Sequence, residues 1–428
     1  MVGAEQIVRV SFAEGWDLRS RTMLAPLSRS AAENRDRAGK PYVMVHRVEG
    51  RTSPIEVHLV AWGDSYAGAW AYDDRGRRTG EADWRLLEPG RLFLRHLGVW
   101  RYDSEDQGEF APEAGRSYVD LFPGGKGRKV SEPKGARGGS RHTLAGIPEE
   151  DRWRARSEFG VSGLRQLFVS QSLPHGWQQD FEDSAEEVTE VWTVDSADDG
   201  RPSPWVPPRP AQPEHLTELF EPGTRIATSF ASEMTVSAIR NIATLRVPSG
   251  RLVVADALTE GHGAVRELAE RIPPGEYRMQ AAVVAYEGKY EDECFPVVEE
   301  VAVRLLLAEE PVVSWELALT GEDDARLLRD GEIFGFDTDG AAGSFSDAAH
   351  WEVLADQYRR YLVEQEVGAG ESIGDGYIRT TDEATDSDLV SFYTGGDGTY
   401  PVWLGRSSAG QLVCVVVVVG YLPELRLL

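Results

Sequence analysis

The chain has 428 residues, 41% of them hydrophobic and 27% charged, with a formal net charge of −26. That length exceeds what one hydrophobic core usually supports, so two or three domains are expected, and the negative balance argues against nucleic acid as a partner. No run reaches the roughly 20 apolar residues of a membrane helix, and with only Cys294 and Cys414 the chain has no disulfide framework or Cys-rich zinc site.

From the N-terminus, MVGAEQIVRVSFAEGWD lacks the basic-then-apolar succession of a secretion signal, so a reducing cytoplasm is the expected location. PYVMVHRV (41–48) and IEVHLVAW (55–62) read as strands, alternating or apolar throughout. Residues 67–87 have the pattern of a hairpin with its tip at Asp73–Gly76, where glycine supplies the positive φ of a tight turn. RLFLRHLGVWRY (91–102) and RSYVDLF (116–122) are further strands. The segment 124–143 carries Lys126, Arg128, Lys129, Lys134, Arg137 and Arg141 against Glu132 alone, with six glycines. It is expected to be a mobile, solvated basic loop or a contact for a protein partner, since neither a phosphate-loop spacing nor interleaved aromatics are present. Residues 149–171 are the best helical stretch of this half, interrupted by Gly160 and Gly163.

Residues 196–213 hold six prolines and read as a semi-extended linker. The expected organisation is therefore a β-rich domain over 1–195, the linker, and an acidic α+β domain over 214–428. Residues 1–200 carry 27 Lys/Arg against 33 Asp/Glu, and the remainder 18 against 38, so most of the negative field lies downstream.

Past the linker, a short helix is expected at 214–220, a buried strand at 250–259 and a second helix over AVRELAERI (264–272), stopped by Pro273-Pro274. GEYRMQAAVVAYE (275–287) and VEEVAVRLLLA (298–308) suit an antiparallel pair, followed by a strand at 311–319. SDAAHWEVLADQYRRYLVEQE (346–366) is the strongest helix. Trp351, Leu354, Tyr358, Tyr361 and Leu362 fall near one stripe, and Ser346 is placed to cap it. The C-terminus reads as a meander of strands 388–393, 399–405 and 411–419. The fold class is α+β: two β-rich domains with mainly antiparallel sheets, the second backed by the 346–366 helix.

Four blocks carry a resemblance: GRLVVADALT (250–259), PPGEYRMQAAVV (273–284), FGFDTDGAAGSFSD (334–347) and SFYTGGDGTYPVWLG (391–405). With these, residues of about 225–423 resemble the bacterial domain of unknown function 4241. The likeness implies a β-rich domain and brings no reaction with it. The first half resembles no family.

Candidate sites are few. None of the eight histidines falls in a metalloprotease or nucleophile-elbow motif, and His262, between glycines, is the one that reads as most exposed. Asp397 sits in GGDG and reads first as the tip of a turn. Together with Asp337, Asp339 and Asp347 it could form a carboxylate cluster for a divalent metal, although the EF-hand spacing fails at Ala341. No other cofactor is expected. The absence of a catalytic motif and the acidic second half lead to a non-enzymatic reading: a cytoplasmic protein of the toxin-immunity type that holds a basic protein partner. Tyr400 and Trp403 would supply affinity, and Lys126, Arg128 and Lys129 a second contact. The alternative is a metal-dependent enzyme working at the four aspartates. The sequence leaves the oligomeric state open.

Overall fold

The structure is a computed structural model describing residues 8–135, 138–159, 187–188, 204–259, 265–290, 293–422 and 424–428. Residues 160–171 of the first expected helix, His175, His262, Arg137 and the first part of the proline-rich stretch lie outside them. The chain divides into two compact units, Met1–Pro208 and Arg209–Leu428. In the described part of the proline-rich stretch, Trp205 is buried in the first unit's core, while the Arg209 and Ala211 amides donate to Asp330 and the Glu332 carbonyl of the second.

In the first unit the elements run β1 (Val8–Asp17), β2 (Thr22–Leu27), α1 (Arg29–Arg37), β3 (Tyr42–Val48), β4 (Glu56–Ala61), β5 (Tyr66–Tyr72), β6 (Arg78–Glu88), β7 (Arg91–Arg101), β8 (Gly115–Leu121), β9 (Gly127–Glu132), β10 (Gly139–Leu144), α2 (Glu149–Arg152), β11 (Trp153–Ala155) and β12 (Glu187–Val188). They build one antiparallel sheet ordered β12-β10-β9-β8-β7-β6-β5-β4-β3-β1-β2, with β11 added to β7. Period-two alternation sorts the side chains. Val43, Val45, Val57, Leu59, Trp70 and Tyr72 pack on one face with Trp16 and Trp205; Phe12, Tyr42, Met44 and Val60 pack on the other with Ala32 of α1. At the β5–β6 tip Gly76 has φ 77°, and Asp73 Oδ1 accepts from the Arg75 and Arg77 amides at 3.0 and 2.8 Å.

Two expectations for this unit fail. The basic segment is no mobile loop: Gly127–Glu132 and Gly139–Leu144 pair as a hairpin, held by the buried Val130 and Leu144. Its glycines serve close approach, since a Cβ on Gly127 would lie 2.9 Å from the Asp120 carbonyl. The helix begun at Glu149 stops at Arg152, because Trp153–Ala155 pairs with Arg91–Phe93 and the Arg156 amide reaches the Gly90 carbonyl.

The second unit contains β13 (Arg225–Ala227), β14 (Met234–Val247), β15 (Arg251–Ala255), β16 (Val265–Arg271), β17 (Gly275–Tyr290), β18 (Glu293–Leu306), β19 (Ser314–Leu317), β20 (Gly335–Thr338), β21 (Ala342–Asp347), α3 (Trp351–Leu362), β22 (Glu371–Gly374), β23 (Tyr377–Asp382), β24 (Ser387–Tyr393), β25 (Gly398–Arg406), β26 (Leu412–Val418) and β27 (Arg426–Leu427). Nine strands form a sheet ordered β19-β25-β26-β18-β17-β14-β13-β27, with β20 on β25; six form another, β16-β15-β21-β24-β23-β22. The inner faces of both sheets share one core, in which Met279, Val303, Val415 and Val417 meet Val254, Phe345, Val390 and Phe392. Trp351, Leu354, Ala355 and Tyr358 of α3 cover the outer face of the six-stranded sheet. The valine-rich run is apolar on both sides because β26 is central. Val415, Val417 and Val419 face the inter-sheet core, while Cys414 and Val416 face a second core with Leu219, Phe220 and Leu425.

Three further corrections follow. AVRELAERI is a strand: Val265–Arg271 pairs with β15, and Arg266 and Leu268 are buried on alternate positions. Ser346 is a fully buried strand residue, and the turn leading into α3 is capped instead by Asp347, whose carboxylate accepts from the Ala349 amide. The C-terminal strands do not make a meander. β24 pairs with β21 and β23, whereas β25 pairs with β26, β19 and β20, so the GGDG segment carries the chain from one sheet to the other.

Candidate functional site

The crossing at GGDG is built by its glycines. Gly396 and Gly398 have φ values of 155° and 148°, which residues bearing a Cβ seldom adopt. The Gly396 carbonyl accepts from the Thr394 and Tyr400 hydroxyls at 3.0 and 2.9 Å. β20 pairs with the start of β25, so the blocks holding Asp337 and Asp397 do lie side by side. Their carboxylates serve the local structure. Asp337 accepts from the Thr399 hydroxyl at 2.5 Å and Asp397 from the Ala341 amide at 3.3 Å. Asp339 is exposed. Asp347 is fully buried at the far end of β21, roughly 17 Å along that strand from Ala342, where it accepts from the Ser249 and Ala349 amides. The four aspartates therefore do not converge.

A residue the sequence reading passed over, Asp256, underpins this corner. It is fully buried and accepts from the Leu258 amide and from the Thr259 and Thr338 hydroxyls, at 2.8, 3.0 and 2.8 Å. Thr338 Oγ1 in turn accepts from the Gly340 and Ala342 amides. Asp397→Asn is expected to change stability by less than about 0.5 kcal/mol, whereas Gly398→Ala should cost about 1–3 kcal/mol through its backbone conformation. Paired urea melts measure both, and an aspartate effect exceeding the glycine effect would restore a special role for the carboxylate.

The expected partner contacts also fall differently. Trp403 is 4% exposed and lies in the core beside Val416, its neighbour on β26, and Cys414, so it cannot touch a partner. Sequence reasoning missed this because both faces of β25 are covered. Tyr400 is half-buried and stacks on Phe336 at 5.8 Å. Lys126 is exposed, but Arg128 and Lys129 point to opposite faces of β9, opposite Asp120 and Val119 respectively.

The outer face of the nine-stranded sheet instead ends in exposed aromatics. Phe230, 49% exposed, stacks with Tyr421, 74% exposed, at 6.2 Å and meets Tyr286 edge-on at 6.1 Å. Two residues along β17, a Cβ on Gly288 would touch the ring of Phe295, itself 45% exposed, which places that ring on the same face as Tyr286. Glu299 lies beside this group. Burial first, then the Glu299 charge and hydrogen bond, hold the Tyr286 phenol above its usual range. Neither thiol is set up as a nucleophile: the Glu287 charge pushes Cys294 up, and burial pushes Cys414 up to about 11.

Residues 245–417 match the family model DUF4241, described as a protein of unknown function. The DUF4241 region takes in both sheets' facing strands and, from the aromatic group, Tyr286 and Phe295; Phe230 and Tyr421 flank it. It includes no part of the first unit. No curated protein and no solved structure matches the chain. Among the described residues no helix is long and apolar enough to cross a membrane.

Proposed function

We propose that this is a bacterial cytoplasmic binding protein, of the toxin-immunity type, whose acidic second unit holds a basic protein partner. The observation that carries the reading is the group formed by the exposed Phe230, Phe295 and Tyr421 around the half-buried Tyr286. It lies on a unit in which acids outnumber bases about two to one: 38 against 18 beyond residue 200. Aromatics at a surface supply large contact area and attract Lys and Arg through their ring faces. The surrounding negative field accelerates encounter with a positively charged surface and rejects acidic ones. This replaces Tyr400 and Trp403 as the affinity-bearing aromatics.

The test is co-purification from the native cells with the wild type and with a Phe230→Ser/Tyr421→Ser double variant, followed by affinity measurement on the recovered complex. A stoichiometric basic partner is expected. Its affinity should fall with added salt and drop about 30-fold or more in the double variant, as for a central aromatic hot spot. Recovery of no stoichiometric partner, or equal retention by the double variant, overturns the proposal.

A further inference from the structure

We infer that the first unit binds a zinc-type divalent ion through His46, Glu56 and His58. Glu56 and His58 are two apart on β4 and so share a face, and His46 on β3 stands directly opposite Glu56. All three are buried, at 1%, 6% and 0% exposure. One donor atom from each lies within 4.8 Å of the other two. An ion at the centre of such a triangle is at most about 2.8 Å from each donor, against roughly 2.0–2.2 Å for zinc bonds to imidazole and carboxylate, so each donor moves less than about 1 Å.

The polar accounting favours an ion here. His58 Nε2 lies 3.0 Å from Glu56 Oε2, close to the spacing of two ligands on one tetrahedral ion. The other ring nitrogen, His58 Nδ1, is buried with no hydrogen-bond partner among the described residues. A buried nitrogen of this kind costs free energy unless a partner such as a water is supplied, and a buried carboxylate such as that of Glu56 is normally paired or bound to a metal. His58 also borders a cavity of about 30 Å³ shared with Asp36, Tyr42 and Trp62, large enough for one water. Such a water could bond the outward nitrogen of His58, as ligating imidazoles normally require.

Space and rigidity suit the site. The β5 residues opposite His58 and Glu56 are Ala69 and Ala71, and next to these on β6 stand Ala82 and Gly80. No bulky side chain on those strands competes for the position. The donors sit in mid-strand, where backbone hydrogen bonds hold them. Imidazole nitrogens select a borderline ion such as Zn²⁺ over Ca²⁺ or Mg²⁺. The buried Glu81–His96–Asp120 chain makes a useful contrast. There one imidazole bridges two carboxylates through opposite nitrogens, 2.8 and 2.9 Å away, an arrangement that holds protons and has no single point for an ion.

The experiment uses the full chain without a histidine tag, stripped with a chelator and then titrated with Zn²⁺ by calorimetry and with Co²⁺ by visible absorption. One equivalent of Zn²⁺ and the intense d–d bands of low-coordinate Co²⁺ are expected from this site. His58→Gln and Glu56→Gln should each weaken binding by more than about 100-fold, with far-UV circular dichroism confirming that the variants fold. The wild-type titration alone is decisive should a variant not fold. Failure to take up a stoichiometric ion, or six-coordinate Co²⁺ spectra with oxygen donors only, overturns the inference, as does full binding by both variants.

Discussion

Replacing Phe345 with alanine is expected to destabilise the second unit by about 3–5 kcal/mol. Phe345 is fully buried on β21, between Val254 of β15 and Val390 of β24. Its ring packs on Phe392 at 5.3 Å, Phe392 meets Phe336 edge-on at 6.4 Å, and Phe336 stacks on Tyr400 at 5.8 Å. This chain of rings joins the six-stranded sheet to β20 and β25 of the nine-stranded one. Truncation at one end of it leaves a cavity that rigid strands on both sides cannot collapse into. Urea melts followed by tryptophan fluorescence measure the loss, with Val353→Ala on the exposed side of α3 as a control near zero. A loss below about 1 kcal/mol would mean that the two sheets do not share this core.

Acid should loosen the same unit through Asp388. Its side chain is 2% exposed, and its carboxylate takes two guanidinium hydrogen bonds from Arg246, at 2.8 and 2.9 Å, with others from the Arg246 amide and the Thr381 hydroxyl. Burial pushes the Asp388 carboxyl up, but the Arg246 and Thr381 bonds outweigh it and the net direction is down. A carboxyl depressed in the folded state binds more protons when unfolded. Its contribution is therefore complete above the ordinary aspartate value near about 4 and is lost as the pH falls through the lower folded value. Asp388→Ala should cost about 1–3 kcal/mol at neutral pH, because Arg246, one-quarter exposed, loses its two-pronged partner and keeps only the exposed Asp386. Melts between neutrality and pH 2 should show a shallower acid dependence in Asp388→Asn than in the wild type. Parallel curves would remove the pair from the account.

Local pattern made most strands legible. The 67–87 hairpin, the 275–287 and 298–308 pair and the valine run each declare themselves through alternation or β-branching with glycine at the turns. The α3 helix does so through its stripe. The misread segments share a physical cause, namely that pairing partners far along the chain override local preference. In AVRELAERI, Leu268 and Ile272 are four apart and the residues are good helix formers, yet β15 offers an open edge and the segment pairs with it. A glycine-rich turn looks the same in sequence whether it returns a strand to its own sheet or passes it to another, which hid the crossing at Asp397. The His46–Glu56–His58 group was visible in part. Glu56 and His58 alternate on one strand, and a histidine within each apolar strand is itself unusual. The offset that sets His46 against Glu56 depends on the β3–β4 register, which no single residue announces.

The two sheet plans also imply different histories for the two units. In the first, almost every strand lies beside its predecessor, so the sheet can grow hairpin by hairpin while the chain is still being synthesised. In the second, β18 must wait for β26, more than a hundred residues later, and β15 for β21. On a ribosome, the strands of the first sheet can pair as they emerge while those of the second must still find distant neighbours, and it is in that interval that unpaired valine-rich segments are most open to capture by other molecules.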